Sequence, residues 1–252
     1  MSEAVTQQRY PVPPEELRWR AAGIRDAEAF VASGSAVVEF LDRQALAAER
    51  KSLADFSTIL DFGCGCGRVM RALRPAADQW TTVHGADTDA DAIAWCKQNI
   101  PDASFALNAD QPPLSYPDKS IDLVCAVSVF SHFDAEQQFS WLGELQRVVK
   151  PGGYLLITFR HREGLDEIAD PALRDRLLSQ LDGDGIAFAG RADPGGVPAW
   201  YGDAWRTPEY VHSAWGSYFE VCQIHPAGAM PEETAVLRAR ESTFLQRLFQ
   251  RP

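Results

Sequence analysis

Three closely spaced glycines follow an acidic residue in the stretch LDFGCGCGR, residues 60–68. Because glycine adopts positive φ angles and has no side chain, Gly63, Gly65 and Gly67 allow a ligand to contact the main chain directly. Asp61 stands two residues before the first glycine, and its carboxylate would repel a phosphate but attract an ammonium group. The stretch therefore predicts a backbone-lined site for a cationic, amino-acid-like ligand.

The spacing of these glycines argues against a dinucleotide site. A dinucleotide fingerprint needs G-x-G-x-x-G, in which the third glycine packs the helix against the strand near the pyrophosphate. Here Arg68 occupies the position of that third glycine, and the chain has no evident Tyr-x-x-x-Lys pair. An NAD(P)-dependent oxidoreductase is therefore a disfavoured alternative.

A second acidic residue, Asp87, lies about 20 residues beyond the glycines, where a carboxylate that binds ribose hydroxyls is expected. The same side chain could instead cap the helix that is predicted to begin near Ala90, although Asp89 is better placed to do so. The sequence therefore favours Asp87 as a ligand-binding group and Asp89 as the helix cap.

One histidine and two cysteines are also candidates for chemistry. His132 follows the fourth apolar run, and its unperturbed pKa of about 6.5 suits proton transfer. A histidine at this position could equally pack against a ligand or cap the next helix. Cys64 and Cys66 have no C-x-x-C spacing and no clustered histidines beside them, so we interpret them as small turn residues and predict no metal site.

These residues lie at the ends of apolar runs that alternate with helical patterns. The alternation predicts right-handed crossovers and a mostly parallel sheet covered by helices, and such sheets bind ligands at the carboxyl ends of their strands. Strands are predicted at 57–62, 82–86, 103–107, 121–127 and 154–159. Helices are predicted from about residues 15 and 68, over 90–99 and over 135–149, and Gly34 is expected to interrupt the helical pattern of 26–50.

Five motifs follow one another between about residues 57 and 159: LDFGCGCGR, VHGADTDADAI, LNADQPPLSYPDKSIDLV, AVSVFSHF and LGELQRVVKPGGYLLIT. In this order they resemble the motifs of class I S-adenosylmethionine-dependent methyltransferases. The resemblance implies a Rossmann-like α/β fold with a seven-stranded, mostly parallel sheet, helices on both faces and an antiparallel last strand. It also implies S-adenosylmethionine as the cofactor and S-adenosylhomocysteine as its product.

The resemblance also assigns residues to the cofactor. Asp110 would meet the adenine amino group and Gln111 the ring, with Asn108 in place of Asp110 if the loop register shifts by two residues. KPGGY, residues 150–154, would be a structural reversal between a helix and the fifth strand. The residues assigned to cofactor binding are Asp61, Gly63, Cys64, Gly65, Asp87, Thr88, Asn108, Asp110, Gln111 and Ser128, and His132 is the candidate catalytic residue.

The chain is predicted to form a single methyltransferase domain, residues 1–252. Its parts are an N-terminal arm with helices (1–50), the cofactor-binding core (51–160), an insertion (161–206) and a C-terminal helix with a strand hairpin (207–252). Since the insertion is longer than an ordinary connection, we predict that it forms a lid or acceptor pocket. Five aromatic residues could line that pocket, although at least half should serve ordinary packing: Trp200, Tyr201, Trp205, Trp215 and Tyr218. Tyr10 and Trp19 of the arm could also cover the site.

Composition limits the partners. A net charge of −11 argues against nucleic acid and anionic membranes as partners. The chain has 46% hydrophobic residues but neither a signal peptide nor an apolar stretch long enough to span a membrane, which predicts a cytoplasmic protein. The five cysteines are expected to be reduced thiols, and the protein is expected to be a monomer or a homodimer.

The predicted function is methyl transfer to a small-molecule acceptor, with oxygen favoured over nitrogen or carbon. A sulfonium already carries a good leaving group, so correct orientation of the acceptor supplies much of the catalysis. A base such as His132 becomes useful when the acceptor is a hydroxyl. The alternative from another class is a catalytically inactive S-adenosylmethionine-binding partner or sensor.

Overall fold

The computed structural model describes residues 9–190, 201–228 and 232–241. Its centre is a seven-stranded sheet. The strands of this sheet are β1 (Thr58–Phe62), β2 (Thr82–Asp87), β3 (Ser104–Leu107), β4 (Ile121–Ala126), β5 (Val149–Phe159), β8 (Glu220–His225) and β9 (Glu233–Arg238). Their order in the sheet is β3-β2-β1-β4-β5-β9-β8. Strands β1 to β5 are parallel, whereas β9 runs antiparallel to both of its neighbours. The predicted fold class is confirmed.

Helices connect the strands and cover the sheet. They are α1 (Glu15–Ala22), α2 (Ala27–Phe40), α3 (Met70–Ala76), α4 (Ala90–Asn99), α5 (Ala135–Val148), α6 (Pro171–Asp184) and α7 (Pro208–Ala214). The bounds of α4 agree with the prediction, and Asp89 caps this helix by accepting from the amides of Asp91 and Ala92. The prediction that Asp89 is the helix cap is therefore confirmed.

One helix prediction was wrong. Gly34 does not interrupt α2 (Ala27–Phe40). The glycine allows the helix to pack on the glycine turn, because a Cβ at Gly34 would lie 2.0 Å from the Arg68 carbonyl oxygen. Helix α3 was predicted from about Arg68 and begins at Met70, since Gly67 still has a positive φ of 85°. The glycine turn therefore extends further than the sequence pattern indicated.

Alternate residues of the central strands enter two separate cores. Ile59 of β1 and Leu123 of β4 pack with α2 and α3 on one face, whereas Leu60 and Val124 pack with α5 on the other. Side chains of successive strand residues point to opposite faces, so burial on both faces makes these strands continuous apolar runs. This explains why the runs are conspicuous in the sequence.

The structure places KPGGY inside β5 as a bulge, rather than between α5 and the strand as predicted. Ile121 of β4 pairs with Val149, but Leu123 pairs with Tyr154, so residues 150–153 bulge out of the ladder. Gly152 has a φ of 76° there and its amide donates to the Ala239 carbonyl. The bulge is structural, as predicted, and none of its residues lines the cavity described below.

The described parts of the insertion, residues 161–190 and 201–206, form regular elements. The charged stretch of the insertion forms α6, which Asp170 caps, and the chain continues into an antiparallel pair of strands, β6 (Ile186–Gly190) and β7 (Gly202–Arg206). Helix and hairpin share a small core of their own, formed by Leu165, Leu177, Leu181, Ala187 and Trp205. Trp200 and the rest of 191–200 lie outside the described residues, and the role of the insertion as a lid stays a prediction.

All five cysteines are free thiols. Cys64, Cys66, Cys96 and Cys125 are buried, and Cys222 on the edge strand β8 is half-buried. Burial raises the pKa of Cys66 to about 12 and that of Cys222 to about 11. Among the residues described, no group of histidine, cysteine and acidic side chains is arranged to hold a metal ion, and no helix has the length and apolar character needed to cross a membrane.

Candidate functional site

A cavity of about 310 Å³ opens at the carboxyl ends of β1, β2 and β4. Eight of the eleven predicted site residues line it: Gly63, Gly65, Asp87, Thr88, Asn108, Asp110, Ser128 and His132. The sequence therefore identified most of the wall that the end of the sheet contributes. That these residues bind the cofactor, and that His132 acts in catalysis, stay predictions.

The glycine turn shapes the floor of the cavity. Gly63 and Gly65 have φ angles of 77° and 51°, a region that side chains with a Cβ rarely adopt. Space is also lacking: a Cβ at Gly63 would lie 2.2 Å from Cγ2 of Val129, and one at Gly65 would lie 2.8 Å from Cβ of Ala21. Glycine is thus required both by the backbone conformation and by neighbours that pack on the turn.

Asp87 ties the glycine turn to the end of β2. Its Oδ2 accepts from the Gly65 amide at 2.7 Å, and its Oδ1 accepts from the Asp89 amide at 2.8 Å. Burial raises the pKa of this carboxyl, while the amide donors oppose that rise. A carboxylate has about four lone-pair sites, so Asp87 retains capacity for hydroxyl donors of a ligand.

Two buried oxygen atoms near the cavity have no hydrogen-bond partner among the described residues: Asp61 Oδ2 and Asn108 Oδ1. Burial raises the pKa of Asp61 to about 7, although the positive charge of Arg68 opposes the rise. Unpaired buried acceptors are rare in folded proteins and call for a donor. They fit a ligand with amino and hydroxyl groups, and they do not fit a pyrophosphate.

The charge of the cavity wall also favours a ligand with an amino group over a pyrophosphate. Among the described residues, Asp87, Asp89 and Asp110 line the cavity together with one arginine, Arg20. The Arg20 guanidinium is engaged by Asp89, with contacts of 2.6 and 2.9 Å, and reaches Asp91 at 3.2 Å. The wall is therefore acidic and suits the cationic ligand that the sequence predicted.

Three predicted site residues do not line the cavity. The Asp61 side chain is buried beneath the turn, only 1% exposed. Cys64 points into the core, where its Sγ would meet a Cβ at Gly85 at 2.9 Å. Gln111 is exposed and its amide donates to Gln137 Oε1 at 2.6 Å. A residue can stand in a motif because of its main chain, so spacing alone did not show where these side chains point.

His132 lies in a single turn of 3-10 helix, Phe130–His132, directly after β4. Its Nδ1 lies 2.8 Å from the Gly202 carbonyl oxygen, and its ring stacks on Tyr201 with centroids 4.6 Å apart. Burial lowers the pKa of His132, and the Gly202 hydrogen bond opposes that change only in part. Asp134, not His132, caps the following helix α5.

Some cavity residues were missed by sequence reasoning. Arg20 and Ala21 of α1 line the cavity, whereas the residues expected from the arm do not: Tyr10 is buried against Asp102, and Trp19 is half exposed. The other residues missed in the wall are Phe62, Asp89, Val127, Val129, Phe133 and Trp141. Phe62 and Val127 stand at strand ends, so their positions in the sequence could have identified them. Nothing in the sequence around α1 indicates that this helix docks at the cavity.

The aromatic residues of the insertion and its surroundings divide as expected. Trp205 and Trp215 are buried in cores, and Tyr218 packs on Phe139. Tyr201 lines the cavity. The expectation that at least half of the five serve ordinary packing is confirmed, and one of them belongs to the wall beside His132.

Comparison with known proteins agrees with this geometry. Residues 60–157 match the family model described as a methyltransferase domain. A fatty-acid O-methyltransferase of Mycolicibacterium smegmatis is 30% identical over 198 residues, which are 67% of this chain and 68% of that protein. A tRNA N(3)-methylcytidine methyltransferase of Schizosaccharomyces pombe is 30% identical over 164 residues, 58% of this chain and 53% of that protein.

The fold is shared with solved structures as well. A SAM-dependent methyltransferase from Methanosarcina mazei has a TM-score of 0.56 at 18% identity, with 80% of this chain and 100% of that chain covered. A Rossmann-like sheet with an acidic, glycine-floored cavity at its carboxyl edge defines the class. The chain belongs to the class I S-adenosylmethionine-dependent methyltransferases. It is a methyltransferase with S-adenosylmethionine as its cofactor, and the oxidoreductase alternative is set aside.

Proposed function

We propose that the protein methylates a hydroxyl group of an apolar small molecule, with His132 as the general base. The hydrogen bond of 2.8 Å between His132 Nδ1 and the Gly202 carbonyl carries this proposal. A carbonyl oxygen only accepts, so Nδ1 holds the ring proton and Nε2 keeps a free lone pair. Because burial lowers the pKa of His132, the ring is neutral near pH 7, as a base must be.

The cofactor supplies a methyl group on a positively charged sulfur, which needs no further activation. The residues proposed to hold it are Gly63, Gly65, Asp87, Thr88, Asn108, Asp110 and Ser128, all of which line the cavity. Asp87 would accept from the ribose hydroxyls, and Asn108 or Asp110 from the adenine amino group. Asp61 stays a candidate for the ammonium group because its buried Oδ2 lacks a donor among the described residues.

The acceptor would bind beside His132. Val129, Phe133 and Tyr201 line the cavity there, and such walls favour an apolar molecule and exclude water from the reacting atoms. His132 Nε2 would take the hydroxyl proton as the oxygen attacks the methyl carbon. The chain thus contributes orientation, a dry site and one proton acceptor.

Charge favours a small molecule over tRNA, on which one of the relatives acts according to its name. The net charge is −11, and carboxylates outnumber cations at the cavity, where Arg20 already pairs with Asp89. Such a surface repels a polyanion. A small, uncharged acceptor avoids this repulsion.

The test is turnover with methyl-labelled S-adenosylmethionine on a panel of phenols, aliphatic alcohols, fatty acids, amines and bulk tRNA. We expect label to enter a compound with a hydroxyl group, and His132→Gln to lose that activity while His212→Gln, on the exposed side of α7, retains it. Exclusive labelling of a fatty acid that is insensitive to His132→Gln would contradict the proposal, because a carboxylate needs no base. Labelling of tRNA alone would also contradict it.

A further inference from the structure

Arg206, the last residue of β7, is a buried cation that is held mainly by neutral groups. Its side chain is 0% exposed, and among the described residues the carboxylates of Glu232 and Asp134 act on it only through their charge, without a hydrogen bond to the guanidinium. The guanidinium instead donates to three neutral oxygens: Nη1 to the Phe130 carbonyl at 2.8 Å, Nη2 to the Phe133 carbonyl at 2.7 Å, and Nε to Gln138 Oε1 at 2.9 Å. Burial lowers its pKa to about 10, so it remains charged at neutral pH.

The two carbonyls that Arg206 binds enclose the turn that carries His132. Phe130 begins the turn, and Phe133 directly follows it. The same strand β7 holds the imidazole itself, because Gly202 accepts from His132 Nδ1. The insertion therefore fixes both the backbone on either side of His132 and one ring nitrogen of this residue.

Gln138 holds the guanidinium in place. This glutamine is fully buried on α5, and its Oε1 accepts from both Arg206 Nε and Trp215 Nε1, each at 2.9 Å. Its Nε2 donates to the Tyr210 hydroxyl at 2.8 Å. A buried polar network is rigid when all of its members are hydrogen-bonded. Loss of one member leaves the remaining buried groups without hydrogen-bond partners.

The residue type matters for this arrangement. A buried cation whose hydrogen bonds all go to neutral oxygens is costly to desolvate, so packing alone does not account for an arginine here. Only a planar guanidinium presents separate donors to two carbonyls and a side-chain amide at once, whereas a lysine has one donor atom. A methionine would fill the volume but leave both carbonyls unpaired.

We propose that Arg206 is a positioning residue for His132: by bridging the Phe130 and Phe133 carbonyls, it fixes the orientation of the imidazole whose Nδ1 donates to Gly202. This inference rests on the proposed role of His132 as the base. Arg206 does not line the cavity, so it acts through His132 and not on the cofactor or acceptor.

Two variants test this role. Arg206→Lys keeps the positive charge but loses the separate donor atoms of the guanidinium. Arg206→Met removes both the charge and the donors. We expect each to lower kcat by about 10- to 100-fold, the scale of a misplaced catalytic group, while the Kd for S-adenosylhomocysteine stays within about threefold. The matched control is Arg240→Met, because Arg240 also binds backbone carbonyls around a short turn, those of Gly216, Ser217 and Phe219, but lies away from the cavity.

A spectroscopic measurement reports on His132 independently of turnover. The chain has only five histidines, so ¹⁵N shifts of the labelled rings can be assigned with single variants. In the parent protein we expect His132 to be protonated at Nδ1, and in Arg206→Lys to show a mixture of tautomers and a displaced pKa. Should Arg206→Met fail to fold, Arg206→Lys and its ring shifts carry the test.

The outcomes separate this inference from the proposed function. If His132→Gln leaves turnover unchanged, the role of His132 as base fails, and the role of Arg206 fails with it. If His132→Gln abolishes turnover but Arg206→Lys retains the parental kcat, pH profile and tautomer, Arg206 is structural only and the inference alone is overturned. In the double variant, Arg206→Lys should cause no further loss beyond His132→Gln, since both remove the same function.

Discussion

The proposed cofactor half and the proposed acceptor half of the cavity, called the cofactor half and the acceptor half below, are built differently. The cofactor half consists of main chain and carboxylates at the edge of the central sheet, and its contacts join residues close in sequence: Gly65 and Asp87 are 22 residues apart. The acceptor half consists of the His132 ring and apolar side chains around it, and strand β7 of the insertion contacts His132. Its contacts are long-range, since 70 residues separate His132 from Gly202 and 76 separate Arg206 from Phe130.

This difference assigns separate tasks to the two halves. The cofactor half belongs to the strand-helix units that define the class, whereas the acceptor half needs strand β7 of the insertion to complete it. Substitutions in the first half should therefore change cofactor affinity, and substitutions in the second should change turnover. A variant that does the opposite would break this division.

The largest effect is expected for Gly65→Val. Its φ of 51° strains a branched side chain, and its Cβ would lie 2.8 Å from Cβ of Ala21. We expect affinity for S-adenosylhomocysteine to fall by more than about 10⁴-fold, beyond the reach of calorimetry. Gly183→Val is the control, because a Cβ at Gly183 meets nothing within 4 Å. Normal titration of a folded Gly65→Val protein would show that the turn does not touch the cofactor.

His132→Gln should lower kcat by about 10² to 10⁴ without weakening cofactor binding. The parent enzyme should also show a pH dependence that this variant lacks. Because the pKa of His132 is lowered from its ordinary value of 6.5, the ring is protonated only in acid, so kcat should rise with pH below 6.5 and then level off. If kcat of His132→Gln rises with pH below 6.5 as it does in the parent enzyme, a group other than His132 causes that pH dependence.

Asp87→Ala should weaken cofactor binding by about 2 to 4 kcal/mol, because it removes a charge-assisted acceptor for two hydroxyls. Turnover at saturating cofactor should change much less. Asp118→Ala is a suitable control, since Asp118 is an exposed partner of Arg147. Calorimetry with S-adenosylhomocysteine measures the difference, and an affinity equal to that of the control would remove Asp87 from the cofactor site.

Asp61→Asn should increase the free energy of unfolding. The increase should appear only as the pH rises above the mildly acidic range. The folded-state pKa of Asp61 is raised to about 7, whereas the unfolded value is about 4. The buried Asp61 carboxylate therefore does not lower the stability below about pH 4, where the group is protonated in both states. The destabilisation grows between about pH 4 and 7 and is complete above about pH 7. At pH 8 we expect a gain of about 1 to 3 kcal/mol in the free energy of unfolding.

The matched control is Asp122→Asn, because the Asp122 carboxylate is paired with Lys150 at 2.7 Å and accepts from the Thr58 amide. This variant should lose stability at pH 8 where Asp61→Asn gains it. Denaturant unfolding at pH 4 and pH 8 measures both. A loss of stability in Asp61→Asn at pH 8 would mean that the Asp61 carboxylate has a donor in the folded protein.

Local patterns predicted the strands and helices around the proposed cofactor half well. Helix α4 and its cap Asp89 follow from a capping side chain ahead of a helical pattern, and the strands follow from apolar runs buried on both faces. The direction of a side chain inside a glycine turn is not periodic, so spacing could not show that Cys64 points into the core.

The acceptor half could be predicted only in part. His132 was identified from its place after a strand, but its hydrogen bond to Gly202 depends on how the insertion folds back. In the sequence Arg206 stands between Trp205 and Thr207 as an ordinary charged residue, and no local signal distinguishes a buried arginine from an exposed one. Arg20 and Ala21 reach the cavity only because α1 docks over the turn.

The placement of the thiols limits what alkylating reagents can mark. A reagent must first reach the sulfur, and four of the five cysteines are buried in the cores around the central sheet, whereas Cys222 is half-buried on the edge strand β8. A maleimide dye should therefore attach at Cys222 in the native protein without any engineered residue. The rates at which the remaining four cysteines are modified would then report how often the core around each of them opens.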